Sequence, residues 1–314
     1  MMPRGSRIYV AGHLGMVGSA VMRALRAAGH DGAFGLPSSG LDLRDPAATA
    51  AFFGRERPDV VVMAAGRVGG VRANLADRYG FLRDNLLMAL NVVESARLAG
   101  VRRLLYVGSS CAYPRDAAQP FREDSLLTGA FEPTNEGYAA AKAAGVRLCD
   151  FARERHGCDF FSVMPCNLFG PGDDFVSEDS HVVPALIRRM RAAKESGAGS
   201  VRLWGTGAPL REFLHVDDLA RACVLLLGLP RPPALINVGS GQEVSVRDLA
   251  ALVARTVGFT GRIEFDPAMP DGAPRKLLDV SRIRALGWSP RLSLEEGLRD
   301  AYAWHLANAA EARK

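Results

Sequence analysis

Residues 7–20 read RIYVAGHLGMVGSA, and this stretch decides the fold class. Its apolar start is a strand-like run, glycines follow at Gly12, Gly15 and Gly18, and a helical pattern covers Met16–Ala28. Glycine permits the tight turn, lets backbone N–H groups approach a pyrophosphate and allows the helix to pack closely on the strand. The alternative is a glycine turn without a ligand. Placed between strand and helix, the pattern favours a dinucleotide-binding site.

The following residues continue this alternation of strands and helices. Apolar runs at Asp59–Ala65, Leu104–Gly108 and Phe160–Met164 are separated by helical stretches near Leu82–Ala99 and Tyr138–His156. Strands that alternate with helices predict an α/β fold with a Rossmann-type, doubly wound parallel sheet. A ligand is then expected at the carboxyl ends of the strands.

A second, smaller lobe is expected after a proline- and glycine-rich cluster at 165–172. We expect residues 1–165 to form mainly the dinucleotide-binding domain. Residues 166–314 would form mainly a smaller, interleaved substrate lobe, with segments crossing back to the first domain. The elements predicted beyond the cluster are helices at Val182–Glu195, Val246–Val257 and Leu294–Ala310, and strands at Val201–Trp204 and Leu235–Gly239.

Composition narrows the class of protein. The chain has 314 residues, of which 48% are hydrophobic, and a formal net charge of +5. Its apolar runs are too short to span a bilayer, and the first residues lack the apolar core of a signal peptide. The five cysteines lack the paired spacing of a zinc site, and the basic residues form no patch. We therefore expect a cytoplasmic protein that binds no metal, no membrane and no nucleic acid.

Four residues indicate the chemistry. The run Leu104–Gly108 would deliver Ser109 and Cys111 to the ligand edge, while Tyr138 and Lys142 lie on one face of a helix. A serine with Tyr-x-x-x-Lys delivers protons in carbonyl reduction. A thiol has no use in reduction, but removal of a proton beside a ketone needs a base. Read singly, Cys111 could be a buried structural thiol and the Tyr–Lys pair a surface pair; together they predict a reductase with a second reaction.

Longer blocks show that the chain resembles the extended short-chain dehydrogenase/reductase family. Within that family it is similar to the enzymes that epimerise GDP-4-keto-6-deoxymannose at C3 and C5 and reduce C4 to give GDP-L-fucose. The blocks are AGHLGMVGSA from Ala11, GSSCAYP from Gly108, EPTNEGYAAAK from Glu132, SVMPCNLFGP from Ser162, SHVVPALIRR from Ser180, REFLHVDD from Arg211 and PDGAPRKLLDV from Pro270.

The resemblance implies a role for each of five catalytic residues. Ser109 would bond the 4-keto oxygen, Tyr138 would donate its proton as hydride arrives, and Lys142 would hold the ribose and lower the phenol pKa. Cys111 and His181 would be the epimerisation pair on opposite faces of the sugar. Which of the two is base and which is acid at each carbon stays open.

The resemblance also implies a homodimer and two sets of binding residues. For several of them a plainer explanation exists, such as a solvated arginine on a helix or a core tryptophan. The GDP-sugar would be contacted by Asn167, Arg189, Trp204, Arg211, Asp271 and Lys276. The nicotinamide cofactor would be contacted by Gly12, His13, Leu14, Gly15, Met16, Val17, Gly18, Ser38, Val107, Gly108, Ser109, Ser110, Tyr138, Lys142, Pro165, Asn167, Leu168 and His181.

At the positions expected to contact the cofactor's 2′-phosphate, the chain departs from the family pattern. The resemblance implies two arginines for a ribose 2′-phosphate, but Leu14 and residues 36–39 occupy their places. An acidic residue that would grip an unmodified ribose diol is not found at the end of the second strand either, although Asp42 lies slightly beyond. Ser38 and Ser39 could bond a phosphate without supplying charge. NADPH is favoured, NADH is possible, and we expect weak discrimination between them.

Three alternative functions share parts of this sequence pattern. A 4-epimerase or 4,6-dehydratase would share the glycine turn, but a dehydratase typically has an Asp-Glu pair where this chain has Ser110-Cys111. A non-catalytic dinucleotide-sensing regulator would tolerate loss of the tyrosine or lysine, and both are present. An enzyme acting on another GDP-4-keto sugar, of a colitose or heptose pathway, would keep the same residues, and the sequence leaves it open.

Overall fold

The computed structural model describes residues 2–177, 180–269 and 271–308. The strands and helices alternate along the chain, as the pattern predicts. In chain order the strands are β1 (Ile8–Ala11), β2 (Ala33–Phe34), β3 (Val60–Met63), β4 (Arg103–Val107), β5 (Asp159–Pro165), β6 (Asn167–Phe169), β7 (Ser200–Trp204), β8 (Leu210–His215), β9 (Leu235–Val238), β10 (Glu243–Ser245), β11 (Arg262–Asp266) and β12 (Arg275–Lys276).

Each predicted helix is found to within four residues at its ends, and the last prediction, Leu294–Ala310, extends into residues that lie outside those described; other helices, such as Pro46–Glu56, were not predicted. The helices are α1 (Met16–Ala27), α2 (Pro46–Glu56), α3 (Val71–Ala76), α4 (Arg78–Leu98), α5 (Glu136–His156), α6 (Val182–Glu195), α7 (Val216–Gly228), α8 (Val246–Val257), α9 (Ser281–Ala285) and α10 (Leu294–Asn308).

Six parallel strands form the main sheet in the order β2-β1-β3-β4-β5-β9. Strands β1 and β3 are buried along their whole length, as parallel strands covered by helices on both faces must be. Helix α1 packs against α7, and α4 packs against α2 and α5. The predicted Rossmann-type sheet is therefore confirmed.

The order of the strands places the ligand crevice. β1 pairs with β2 on one side and β3 on the other, so the chain changes direction across the sheet at this point. Such a switch point opens a crevice at the carboxyl ends of β1 and β3. The glycine turn after β1 lies at this end of the sheet.

A second hydrophobic cluster lies around β8. This strand pairs with β6 and β12 in parallel and with β10 in antiparallel orientation, while β7 pairs with β11. Pairing places Lys276 beside Arg211 and Asn167 beside Phe213. The cluster is formed by residues from α6, α8 and α10 with those of β7, among them Ile187, Leu203, Val253 and Leu298.

Residues from the second half of the chain also belong to the hydrophobic core around the six-stranded sheet. Leu214, Leu226, Ile236 and Ile283 pack with residues of β1, β3 and β4 in one cluster. The division of the chain at residue 165 stays a prediction. Among the described residues, no helix is both long enough and apolar enough to cross a membrane.

Candidate active site

The glycine turn is shaped for close approach of a ligand. Gly12 has a φ of +79°, and a Cβ there would lie 2.7 Å from the Ala65 Cα. A Cβ on Gly18 would lie 2.1 Å from the Gly12 carbonyl oxygen. Helix α1 begins at Met16, so its positive end faces this bare turn. The residues present therefore fit a dinucleotide whose pyrophosphate rests on the start of α1.

The residues that stand where the resemblance implies two arginines lie at the surface. Leu14 is 71% exposed, and Ser38 and Ser39 are exposed. Asp42 is engaged by Arg44, whose Nη2 donates to Oδ2 at 2.7 Å. Hydrogen bonds from the Arg44 side chain and backbone lower the pKa of Asp42 to about 2. Asp42 is thus a paired carboxylate.

Lys142 lies buried beneath the end of β4. Its Nζ donates to the Val107 carbonyl oxygen at 2.8 Å and lies 5.8 Å from the centre of the Tyr138 ring. Burial lowers the pKa of Lys142 to about 8. A position beside both β4 and Tyr138 suits a residue that holds the cofactor ribose.

The pKa of the Tyr138 phenol differs from the expected one. Burial raises the pKa of its phenol, negative charge on Cys111 raises it further, and a hydrogen bond from Ser109 opposes them. The resemblance implied a pKa lowered by Lys142, whereas in the protein alone desolvation outweighs any such effect. The phenol is accordingly protonated at neutral pH, which is the form that can donate a proton.

Ser109 and Cys111 follow β4 directly. A Cβ on Gly108 would lie 2.5 Å from Met164 Sδ, so glycine lets this turn approach β5. Ser109 caps a short 3-10 helix at 110–112, its Oγ accepting a hydrogen bond from the Cys111 amide at 3.2 Å. This cap fixes the thiol beside the hydroxyl.

A lysine from the far end of the chain contacts the thiol. Lys276 Nζ lies 3.1 Å from Cys111 Sγ. Burial alone would raise the pKa of Cys111, but the Lys276 charge and hydrogen bonds from Ser109, Lys276 and Asn135 outweigh it, so the pKa is lowered. A lowered pKa makes the thiolate, which is the reactive form, more abundant at neutral pH.

His181 is the residue before α6. Its side chain is 46% exposed, and its Nδ1 lies 4.0 Å from Oδ1 of the buried Asp173. Desolvation lowers the pKa of His181, the charge of Asp174 opposes this, and the charge of Lys276 adds to it. The Lys276 charge therefore favours a lower pKa for both Cys111 and His181, the proposed epimerisation pair.

Three of the predicted substrate residues come together at the end of β7. Trp204 ends that strand and is 53% exposed. Asp271 accepts hydrogen bonds from the Thr206 amide at 2.7 Å and the Thr206 hydroxyl at 2.8 Å, and its charge acts on Arg211. An exposed indole and an arginine that both lie near the Asp271 loop suit a nucleotide diphosphate.

The other predicted substrate residues lie elsewhere. Arg189 donates a hydrogen bond to the Arg202 carbonyl oxygen on β7. Asn167 Nδ2 donates to the Glu212 carbonyl oxygen at 2.8 Å and so joins β6 to β8. Lys276 contacts the thiol. The predicted substrate residues are therefore divided among β7, the junction of β6 with β8, and the thiol.

The remaining predicted cofactor residues lie around the same edge of the sheet. His13 packs on Gly35, where a Cβ would lie 2.3 Å from the imidazole Cγ. Ser110 is buried in the 3-10 turn. The others lie at the start of α1 (Gly15, Met16 and Val17), at the end of β5 (Pro165) and in β6 (Leu168).

Sequence reasoning missed two residues of this site. Asp173 is buried behind His181, and its Oδ2 has no hydrogen-bond partner among the described residues. Asn135 precedes α5 and helps to lower the pKa of Cys111. The only signal for Asp173 was a carboxylate after the glycine-proline turn at 170–172. Asn135 lies inside the EPTNEGYAAAK block, which carries the family resemblance but predicts no role for this residue.

Comparison with known proteins agrees with this arrangement. The model of the NAD dependent epimerase/dehydratase family matches residues 8–239, which include β1 to β9 and all five predicted catalytic residues. The chain belongs to this family. Members of the NAD dependent epimerase/dehydratase family use a nicotinamide cofactor, as the glycine turn indicates.

Individual members of the family are similar to this chain over nearly its whole length. The chain is 49% identical over 308 residues to GDP-L-fucose synthase 1 of Arabidopsis thaliana, covering 98% of this chain and 95% of the relative. It is 35% identical over 295 residues to GDP-L-colitose synthase of Yersinia pseudotuberculosis, covering 93% and 95%. A solved GDP-L-fucose synthetase from Naegleria fowleri with NADP bound is 29% identical, covers 98% of this chain and 96% of that one, and superposes with a TM-score of 0.89.

Proposed function

We propose that this chain epimerises GDP-4-keto-6-deoxymannose at C3 and C5 and then reduces C4, giving GDP-L-fucose. The observation that carries the proposal is one cleft holding two kinds of chemistry. The hydroxyl, phenol and lysine of a carbonyl reductase lie beside the Cys111 thiol and its Lys276 contact. The 49% identity to a plant GDP-L-fucose synthase supports this substrate.

Reduction needs a proton at the C4 oxygen. The bare glycine turn and Lys142 would hold the cofactor, which supplies hydride to C4. Ser109 bonds the keto oxygen and Tyr138 gives it a proton. The raised pKa of the phenol keeps that proton in place until negative charge develops on the oxygen.

Epimerisation uses the acidity that the 4-keto group gives to its neighbours. A base removes the proton from C3, and the electron pair moves to the C4 oxygen, where Ser109 can stabilise the charge. An acid on the opposite face returns a proton to C3, which inverts it. The same two residues, Cys111 and His181, then act at C5.

The main alternative is a different GDP-4-keto sugar. A colitose or heptose enzyme could use the same residues, but the identity to the colitose synthase is lower, at 35%. The test is a panel of GDP-4-keto sugars with NADPH, in which kcat/KM is compared. We expect GDP-4-keto-6-deoxymannose to be preferred at least tenfold; a higher value for a heptose or dideoxy sugar would overturn the substrate assignment.

The proposed cofactor is NADPH with weak discrimination against NADH. The NADP-bound relative supports NADP, whereas exposed Leu14 and Ser38 supply no positive charge to a 2′-phosphate. Steady-state kinetics with both cofactors test this. A preference for NADPH above about a hundredfold, on the order of 3 kcal/mol, would contradict it.

A homodimer in the cytoplasm completes the proposal. Leu90 and Leu98 on α4 and Phe151 on α5 are 50%, 68% and 51% exposed, and these two helices pack together. Exposed apolar side chains on adjoining helices support a subunit interface. Light scattering at micromolar concentration should give twice the chain mass, and the mass of a single chain would contradict the dimer.

A further inference from the structure

Lys276, one of the predicted substrate residues, contacts the proposed epimerisation thiol directly. Its Nζ is 3.1 Å from Cys111 Sγ across 165 positions of sequence. An ammonium group at this distance from sulfur favours the thiolate. The side chains of Ser109 and Asn135 also lower the pKa of this thiol. Groups from three separate parts of the chain therefore favour the thiolate.

The backbone around Lys276 is held firmly in this position. Strand β12 pairs with β8. Gln119, from the segment that follows the thiol, accepts a hydrogen bond from the Leu277 amide at 2.9 Å and donates one to the Arg275 carbonyl oxygen at 2.8 Å. The Leu278 amide donates to the buried Glu212 at 2.9 Å. The contact with Cys111 is therefore built into the fold and needs no ligand to form.

We propose that Lys276 is a positioning residue for epimerisation, whose ammonium holds Cys111 as a thiolate before any sugar binds. This inference rests on the proposed function and gives Lys276 a role beyond contact with the GDP-sugar. The thiolate takes the proton from the sugar carbon, its S–H bond forms as the C–H bond breaks, and the electron pair moves to the C4 oxygen. Cys111 is then the base, and His181 in its protonated form gives a different proton to the same carbon from the opposite face, after which the thiol and the imidazole exchange protons with solvent and regain their starting states.

Other titratable groups surround the pair. Tyr138 on α5 lies near Cys111 and remains a protonated phenol, and His181 at the start of α6 feels the Lys276 charge. Cys166 after β5 is buried, which raises its pKa well above the ordinary value despite Lys276. Cys111 is thus the thiol on which Lys276 has its main effect.

The test measures the thiol in the free enzyme. Iodoacetamide alkylates thiolates, and mass spectrometry of the Cys111 peptide gives the rate as a function of pH. We expect the wild-type midpoint to lie at least one pH unit below about 8.5, the value of a free thiol. Lys276→Met should raise the midpoint by one unit or more, and Lys276→Arg should restore most of the shift because it keeps the charge.

The neighbouring residue offers a matched control. Arg275 lies on the same strand, but its Nε donates to Glu243 at 2.7 Å, so it points away from the thiol. Arg275→Met removes the same charge and should leave the midpoint unchanged. A residue that only bound substrate would not move the midpoint in any variant, since no sugar is present.

Two results would overturn the inference: a wild-type midpoint at or above that of a free thiol, or the same midpoint in wild type and a folded Lys276→Met variant. Failure of the proposed function would look different. In that case the midpoints would shift as expected, but no GDP-4-keto sugar would exchange its C3 or C5 protons with solvent.

Discussion

At the scale of single residues, Tyr138 separates the two proposed half-reactions. Tyr138→Phe removes the proton donor for the C4 oxygen but leaves Cys111, Lys276 and His181 in place. We expect reduction to fall by a factor of at least a hundred while some exchange of the C3 and C5 protons with solvent remains. Cofactor oxidation measures the rate of reduction, and NMR of the sugar measures the exchange of the C3 and C5 protons.

The control for this variant is the 71%-exposed Tyr79. Tyr79→Phe should leave both rates unchanged. A normal reduction rate in Tyr138→Phe would refute the proton-donor role.

Asp173 gives a prediction on stability. Burial raises its pKa to about 7, from 3.8 for an ordinary aspartate. Between these two values the native state binds more protons than the unfolded state, so the free energy of unfolding falls as pH rises from about 4 to 7. Asp173→Asn should abolish this loss and stabilise the protein at pH 8 relative to wild type, by at most about 4 kcal/mol.

Urea unfolding at pH 5 and pH 8 measures this effect. The control is Asp116→Asn, because the Asp116 side chain is 76% exposed and pairs with its neighbour Arg115. Equal pH dependence in wild type and Asp173→Asn would show that the buried carboxyl is not the cause.

At the scale of elements, the turn from β1 to α1 depends on the absence of side chains. Gly18→Ala would place a Cβ 2.1 Å from the Gly12 carbonyl oxygen. The turn must then open, and we expect a loss of about 1–3 kcal/mol in stability and at least a tenfold weaker affinity for NADPH. Thermal unfolding and fluorescence titration measure these changes.

Gly54 is the matched control, since it lies inside α2 with nothing within 4 Å of a Cβ. Gly54→Ala should stabilise the protein by up to about 1 kcal/mol and leave NADPH affinity unchanged. An unchanged affinity in Gly18→Ala would contradict the role of this turn.

Elements that consist of an unbroken apolar pattern can be predicted from the sequence. Elements in which charged residues interrupt that pattern cannot. Strands β1, β3, β4 and β5 are apolar runs, and each was predicted within two residues. Strand β8 was missed because Arg211 and Glu212 interrupt it. Glu212 is nevertheless buried, since its carboxylate accepts hydrogen bonds from the Gly241 and Leu278 amides. A local pattern cannot reveal partners that arrive from distant loops.

At the scale of the whole molecule, the residues of the candidate site could likewise be predicted only where they lie close together in the sequence. Ser109, Cys111, Tyr138 and Lys142 could be predicted because one strand end and one helix carry them all. The contact of Lys276 with Cys111 and that of Asp173 with His181 depend on how separate segments pack, and no spacing in the sequence encodes either one. The resemblance supplied Lys276 as a substrate residue, and only the fold places it at the thiol.

The central claim is that one cleft performs both epimerisation and reduction. The most direct measurement is the reaction of GDP-4-keto-6-deoxymannose with NADPH in deuterated water, followed by NMR of the product and by cofactor oxidation. We predict GDP-L-fucose that carries solvent deuterium at both C3 and C5, with one cofactor oxidised per product formed. Cofactor oxidation without deuterium at either carbon would contradict the claim.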